Sequence, residues 1–216
     1  MPVSSGDKFL KVARSAALTG IIGLVAVSTY LGKPSQATSD PRPPPDLTPS
    51  YALTLSDDNQ TVELSGRIDF GATAHLSYLL EHMPEVTLIR LSSGGGQIAE
   101  ARGLAKVVER LALATTVAEE CSSACTLVFV AGQQRHVESG ARLGFHRYSV
   151  RSATAAQYID PAREIARDMT LFRRANVKEA FLTQILDTPA ESMWYPSRGE
   201  LLAAGMIDPQ PSDLRN

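Results

Sequence analysis

The sequence has 216 residues, of which 44% are hydrophobic and 20% charged, and its formal net charge at pH 7 is -2. This composition excludes a disordered or fibrous chain, and the near balance of charges excludes a general attraction to nucleic acid. Two cysteines in a chain of this length exclude a scaffold built on disulfides, so a hydrophobic core must hold the fold.

Residues 1–32 have the pattern of a signal peptide or a single membrane anchor. Lys8, Lys11 and Arg14 precede an apolar run over residues 16–31, as in a basic n-region followed by an apolar h-region. The run is long for a cleaved signal and short for a membrane span, so cleavage and retention both stay open. In both cases the rest of the chain is expected outside the cytoplasm.

A linker and a folded domain follow the N-terminal segment. Residues 33–50 are rich in Pro, Ser and Thr and contain three consecutive prolines at 43–45, which is typical of an extended spacer. The folded domain is therefore predicted over residues 51–216.

Strand and helix patterns alternate along this domain. Short apolar or alternating runs predict strands, and apolar residues at helical spacing predict helices. In chain order the predictions are strands over 51–55 and 61–68, a helix over 72–81, a strand over 86–91, a helix over 98–113, a strand over 115–118, a helix over 123–131, a strand over 141–145, a long helix over 161–186, a short helix over 198–204 and a strand at 206–207. The alternation predicts an α/β fold with parallel strands.

A run of three glycines, at residues 94–96, follows a predicted buried strand. Glycines let the backbone approach a ligand closely and direct N–H groups at an oxyanion or phosphate. A flexible turn is the alternative, and the Lys-Ser/Thr of a phosphate-binding P-loop is missing.

Ser123 begins a predicted apolar helix at the same edge of the sheet. Its hydroxyl is expected near the positive helix end, and the next N–H, on Ala124, is an unpaired donor. These groups fit a nucleophile beside half an oxyanion hole, whereas an ordinary N-cap serine is the alternative. His146 directly follows the predicted strand over 141–145 at that edge, so it is the candidate base.

Four separated segments, residues 66–69, 92–96, 121–132 and 144–146, carry a family resemblance in their order and spacing. They resemble the proteolytic subunit of Clp protease, in the ClpP/crotonase superfamily, and most of all its exported bacterial relatives. The resemblance implies a spiral of β-β-α units with parallel strands, placed in the periplasm or anchored in the inner membrane facing it. It also implies that identical copies can assemble.

The resemblance further implies the roles of individual residues. Ser123 would be the nucleophile and His146 the base, while Gly95 and Ala124 would supply the oxyanion N–H groups. The implied activity is ATP-independent serine peptidase cleavage of short or unfolded protein segments, with no metal and no cofactor.

The third residue of the family's triad is the main departure. The position of the acid is occupied by Met193, so Asp187 or Glu191 could replace it, or the site could be a Ser-His dyad. A non-catalytic peptide-binding relative is the alternative that this mismatch favours. A crotonase-type enzyme acting on an acyl-coenzyme A is disfavoured, because export removes the chain from that substrate.

Cys121 and Cys125 bracket Ser123. Four helical residues rise about 6 Å, which a disulfide can span if the first turn is distorted, and an oxidising compartment favours this bridge. Two buried thiols are the alternative. A zinc site with His136 or His146 is disfavoured, because the Cys spacing is not a strong ligand pattern.

Overall fold

The computed structural model describes residues 50–148, residues 158–210 and Asp213. The predicted signal or anchor segment and all but the last residue of the linker lie outside the described residues. Over the described ranges, no helix combines the length and apolar character that crossing a membrane requires.

The described residues form six strands and six helices. The strands are β1 (Tyr51–Leu55), β2 (Thr61–Gly66), β3 (Leu88–Ser93), β4 (Ala114–Ser122), β5 (Arg135–Val137) and β6 (Arg142–Gly144). The helices are α1 (Ala72–His82), α2 (Ile98–Arg110), α3 (Cys125–Val130), α4 (Pro161–Arg174), α5 (Glu179–Asp187) and α6 (Arg198–Ala204).

All six strands belong to one mixed sheet. The strand order is β1-β2-β3-β4-β5, and β6 pairs with the second half of β4. The pairs from β2 onwards are parallel, whereas β1 and β2 are antiparallel. The prediction of parallel strands was therefore wrong for β1, because residues 56–60 are too short for the crossover that a parallel pair requires.

The register between β3 and β4 shifts just before the glycine run. Leu91 lies opposite Val117, but Ser93 lies opposite Cys121. Over this step the chain moves on by four residues in β4 but by only two in β3. Such a bulge bends the strand that carries the extra residues. The shift lies directly upstream of Ser123.

One face of the sheet is buried and the other carries charge. Val62, Leu64, Ile89 and Leu91 alternate with less buried residues and share one hydrophobic cluster with α1, α2 and α3, as the two-residue pleat of a strand requires. On the other face, Arg90 bridges two carboxylates, with its guanidinium 3.0 Å from Glu63 and 2.9 Å from Glu138.

Two predicted elements differ from the structure, and one strand was not predicted. The helix predicted over 161–186 is two helices, because the chain turns at Asn176, whose φ of 62° is left-handed, a conformation that asparagine tolerates. Residues 206–207 are buried but form no strand in the described part. β5 was not predicted, because three residues of mixed polarity give no period.

Helix α4 is fixed to α2 by a partly buried ion cluster. The Arg102 guanidinium donates to the Asp168 carboxylate over 2.6 and 2.9 Å, and it also pairs with Glu164. The side chains of Arg102 and Asp168 are 13% and 10% exposed. Burial opposes the charge, but the hydrogen bonds to Asp168 and Glu164 outweigh it and raise the pKa of Arg102.

We expect Arg102→Met to lower the free energy of unfolding by about 2–3 kcal/mol, because it leaves the buried Asp168 carboxylate and the partly buried Glu164 carboxylate without a counter-charge. The double variant Arg102→Met/Asp168→Leu should recover part of this loss, because only Glu164 then lacks its counter-charge. Urea unfolding of both variants and of Asp168→Leu completes the cycle. Additive losses in the double variant would contradict the coupling.

Candidate active site

Ser123 lies in the tight turn between β4 and α3. Its φ of 54° is left-handed, which is unfavourable for a residue with a side chain. Its N–H donates to the carbonyl of Gly144 over 2.9 Å, and its carbonyl accepts from the N–H and the hydroxyl of Thr126 over 3.0 and 2.7 Å. These bonds hold the strained backbone in one conformation.

A disulfide joins Cys121 to Cys125 across this turn. The Sγ–Sγ distance is 2.01 Å, the Cα–Cα distance is 5.3 Å, and both residues are fully buried. The first cysteine belongs to β4 and the second begins α3. The bridge therefore ties together the two elements that flank Ser123.

The hydroxyl of Ser123 is hydrogen-bonded to the imidazole of His146. The distance between Ser123 Oγ and His146 Nε2 is 2.7 Å. Helix α3 has Ala124 as its N-cap and no side-chain cap. The ordinary alternative for this serine, a cap that holds a backbone N–H, therefore does not describe its contacts.

Glycine at position 144 allows β6 to approach β4 closely enough for this pair to form. A Cβ at Gly144 would overlap the hydroxyl of Ser122 and would lie 2.8 Å from Cε1 of Tyr195 and 3.0 Å from Cγ of Met193. Any larger residue would push β6 outwards. His146, two residues further on, would move with it.

The other ring nitrogen of His146 has a main-chain partner. His146 Nδ1 lies 2.9 Å from the carbonyl oxygen of Arg147. Among the described residues, neither Asp187 nor Glu191 hydrogen-bonds to His146; both are exposed, and of the two only Glu191 lines the cleft beside the histidine. The structure thus brings Ser123 and His146 together without either predicted acid.

Met193 lies opposite His146. Phe145 and Trp194 exchange two main-chain hydrogen bonds of 2.8 and 2.9 Å in an antiparallel bridge. The antiparallel register pairs the next residue on one side with the preceding residue on the other. The side chain of Met193, a thioether, therefore occupies the position opposite the imidazole of His146.

The glycine loop packs against the turn of Ser123. A Cβ at Gly95 would come within 2.7 Å of the Ser122 carbonyl and 3.0 Å of the Ala124 nitrogen, so only glycine fits. The Gly95 N–H, however, donates to Ser93 Oγ over 3.1 Å. Gly96 lines the cleft, and within the described residues its N–H makes no hydrogen bond.

Sequence reasoning missed two groups of this site. The glycine run indicated N–H donors at the cleft but did not distinguish Gly96 from Gly95, since the difference depends on how the loop turns. The carbonyl of Arg147 leaves no signal in a sequence, because every residue has one. The oxyanion roles of Gly95 and Ala124 stay predictions.

A cleft of about 930 Å³ opens at this pair. Its polar lining includes Ser123, His146 and the Arg102 cluster. Apolar side chains from the helices and from the segment after α5 line the remainder, among them Leu127, Ile165, Met169, Phe172, Ile185 and Met193. No group of three His, Cys, Asp or Glu side chains suited to a metal ion occurs in the described ranges.

Glu120 joins the strands that precede the two site residues. Its carboxylate accepts from Ser122 Oγ over 2.6 Å, from Arg142 of β6 over 2.6 and 3.0 Å, and from the Tyr195 hydroxyl over 3.0 Å. These bonds, with the Ser122 hydroxyl first and Arg142 next, lower the pKa of Glu120. The cluster connects β4, β6 and the segment after α5.

We expect Glu120→Gln to lower the free energy of unfolding at pH 7 by about 1–2 kcal/mol, as for loss of charge-assisted hydrogen bonds. Because folding lowers the pKa of Glu120, its contribution is present above the unfolded value and is lost as pH falls through the folded value. Unfolding curves from pH 7 to pH 3 should therefore converge at low pH. The control Glu119→Gln should change little, and equal losses would refute the assignment.

No protein-family model matches the sequence, and no curated protein matches it. Among solved structures, the chain is similar to a ClpP1 mutant from Listeria monocytogenes, with a TM-score of 0.56 and 17% sequence identity. The match covers 73% of this chain and 96% of that chain. The described domain therefore has a ClpP-like α/β fold.

Proposed function

We propose that this chain is a serine peptidase of the cell envelope that cuts short or unfolded protein segments without ATP. The observation that carries the proposal is the 2.7 Å hydrogen bond between Ser123 Oγ and His146 Nε2. A serine on a strained strand-to-helix turn, with its hydroxyl hydrogen-bonded to an imidazole at the edge of a cleft, is the arrangement of an activated nucleophile.

The chemistry follows from this geometry. Ser123 Oγ attacks the peptide carbonyl while its proton passes to Nε2 of His146, which then protonates the leaving amine. The carbonyl oxygen of the substrate becomes an oxyanion, which the N–H groups of Ala124 and of Gly95 or Gly96 stabilise. Water then attacks the acyl ester, again with His146 as base, and frees Ser123.

The cleft supports a peptide as the substrate. Its apolar lining can bury one or two apolar side chains, and its open form admits an extended segment rather than a folded domain. The glycine run lacks the Lys-Ser/Thr of a P-loop, which agrees with cleavage that does not consume ATP.

A second candidate function is peptide binding without cleavage. The observation that favours it is Met193, which occupies the position across from His146 where the resembling family has an acid. The same cleft would then hold a segment without breaking it. Covalent reactivity of Ser123 distinguishes the two functions.

The proposal places the domain outside the cytoplasm, in the periplasm or anchored in the inner membrane. The basic and apolar pattern of residues 1–32 supports export, and so does the disulfide between Cys121 and Cys125, since such bridges persist in oxidising compartments. The fold supports assigning the domain to the ClpP/crotonase superfamily, whose domains are spirals of β-β-α units. As part of the same proposal, copies of this chain assemble with one another.

We expect a fluorophosphonate probe to label the wild-type protein and Ser123→Ala to abolish the labelling. Cleavage of unfolded, fluorescently labelled casein should fall at least about 10³-fold in that variant, because the attacking oxygen is missing. The exposed Ser139→Ala is the matched control and should behave as wild type. If wild-type protein does not label but binds casein equally well with and without Ser123, the peptidase proposal is wrong.

For the location, a reporter that is active only in the cytoplasm should give no signal when fused to the C-terminus. Thiol counting on the unfolded, unreduced protein should find neither Cys121 nor Cys125 free. A strong reporter signal would refute export. Two free thiols in protein purified from its own compartment would remove the support that the disulfide gives.

A further inference from the structure

We propose that the main-chain carbonyl of Arg147 is the positioning acceptor of His146, in the role that a carboxylate has in a Ser-His-Asp triad. This proposal rests on the peptidase function proposed above and adds how its base is oriented. The contact that carries it is the 2.9 Å separation between His146 Nδ1 and the Arg147 carbonyl oxygen.

A carbonyl oxygen only accepts hydrogen bonds, so the nitrogen that faces it must carry the proton. Nδ1 of His146 is therefore the N–H of the neutral ring, and Nε2 is left with its lone pair. Nε2 is the atom that lies 2.7 Å from Ser123 Oγ. The carbonyl thus selects the tautomer that can take the serine proton.

The backbone around the imidazole is held from both sides. Phe145 is paired through two hydrogen bonds with Trp194, and the N–H of Arg147 donates to the carbonyl of Thr188 over 3.0 Å. His146 lies between these anchored residues. The main chain is thus anchored up to the N–H of Arg147, directly before the carbonyl that faces Nδ1.

The proton balance is complete without an acid. During the attack, the Ser123 proton moves to Nε2 and the ring becomes an imidazolium, while Nδ1–H stays bonded to the Arg147 carbonyl. That carbonyl accepts no proton at any step. The proton on Nε2 leaves with the amine, and the next water molecule supplies the proton that restores Ser123.

Nitrogen-15 NMR of the full chain tests the tautomer without any turnover. Spectra are taken at about pH 8.5, roughly two units above the ordinary pKa of histidine, and His146 is assigned by its loss in His146→Gln. We expect the proton on Nδ1. A proton on Nε2 would overturn the proposal, whereas Nδ1–H without probe labelling would overturn only the peptidase function.

An ester in place of one peptide bond tests the carbonyl itself. Replacing Tyr148 by its α-hydroxy analogue keeps every side chain but makes the Arg147 carbonyl a weaker acceptor, and we expect fluorophosphonate labelling to slow about tenfold. The same replacement at Tyr158, a residue that is 84% exposed, is the matched control. Equal rates for the two esters would overturn the proposal.

Rescue provides a readout that general loss of structure cannot mimic. Met193→Asp places a carboxylate opposite His146, where it can accept from Nδ1 in place of the carbonyl. In that background the Tyr148 ester should slow labelling less than twofold. If the Tyr148 ester still slows labelling tenfold in Met193→Asp, the new carboxylate has not replaced the Arg147 carbonyl as the acceptor of Nδ1–H, which would contradict the prediction. Met193→Asn is the uncharged control.

Discussion

The left-handed backbone of Ser123 is the constraint on which the site depends, because it points the hydroxyl out of the β4–α3 turn and into the cleft. That conformation costs about 1–2 kcal/mol for a residue with a side chain. The disulfide between Cys121 and Cys125 closes a loop of about five residues, worth about 2 kcal/mol in the chain-entropy model. The bridge is therefore sufficient to offset the strain that it encloses.

The hydroxyl of Ser123 can bond to His146 only if both residues lie at the same level along the sheet, and the strand pairing brings them there. The register shift between β3 and β4 places Cys121 opposite Ser93, so Ser123 and the glycine loop leave their strands at the same level of the sheet. Gly144 then lets β6 lie against β4, and Glu120 ties the two strands. The strand pairing, the absence of a Cβ at Gly144 and the carboxylate of Glu120 together allow the 2.7 Å contact between Ser123 Oγ and His146 Nε2.

The sequence predicted the elements that have a clear period and the residues that follow strands. Ser123 could be selected because it begins an apolar helix at the active edge of the predicted sheet, and His146 because it follows an apolar strand at the same edge. The ion cluster of Arg102 could not, since its partners lie 62 and 66 residues away and a single sequence does not reveal pairing over such separations. The Arg147 carbonyl could not either, because every residue has a main-chain carbonyl and residue type does not tell which one faces an imidazole.

In the proposed mechanism, the lack of an acid opposite His146 lowers the expected rate without changing what the histidine does. In a serine protease triad, replacing the aspartate by asparagine costs about 10⁴-fold largely because the wrong tautomer forms. A carbonyl acceptor still selects the correct tautomer. What is lost without an acid is only the electrostatic stabilisation of the imidazolium. Hydrogen bonds to charged acceptors are roughly twice as strong as neutral ones. A site oriented by the Arg147 carbonyl should thus be slower than a full triad but well above one whose imidazole is free to choose its tautomer.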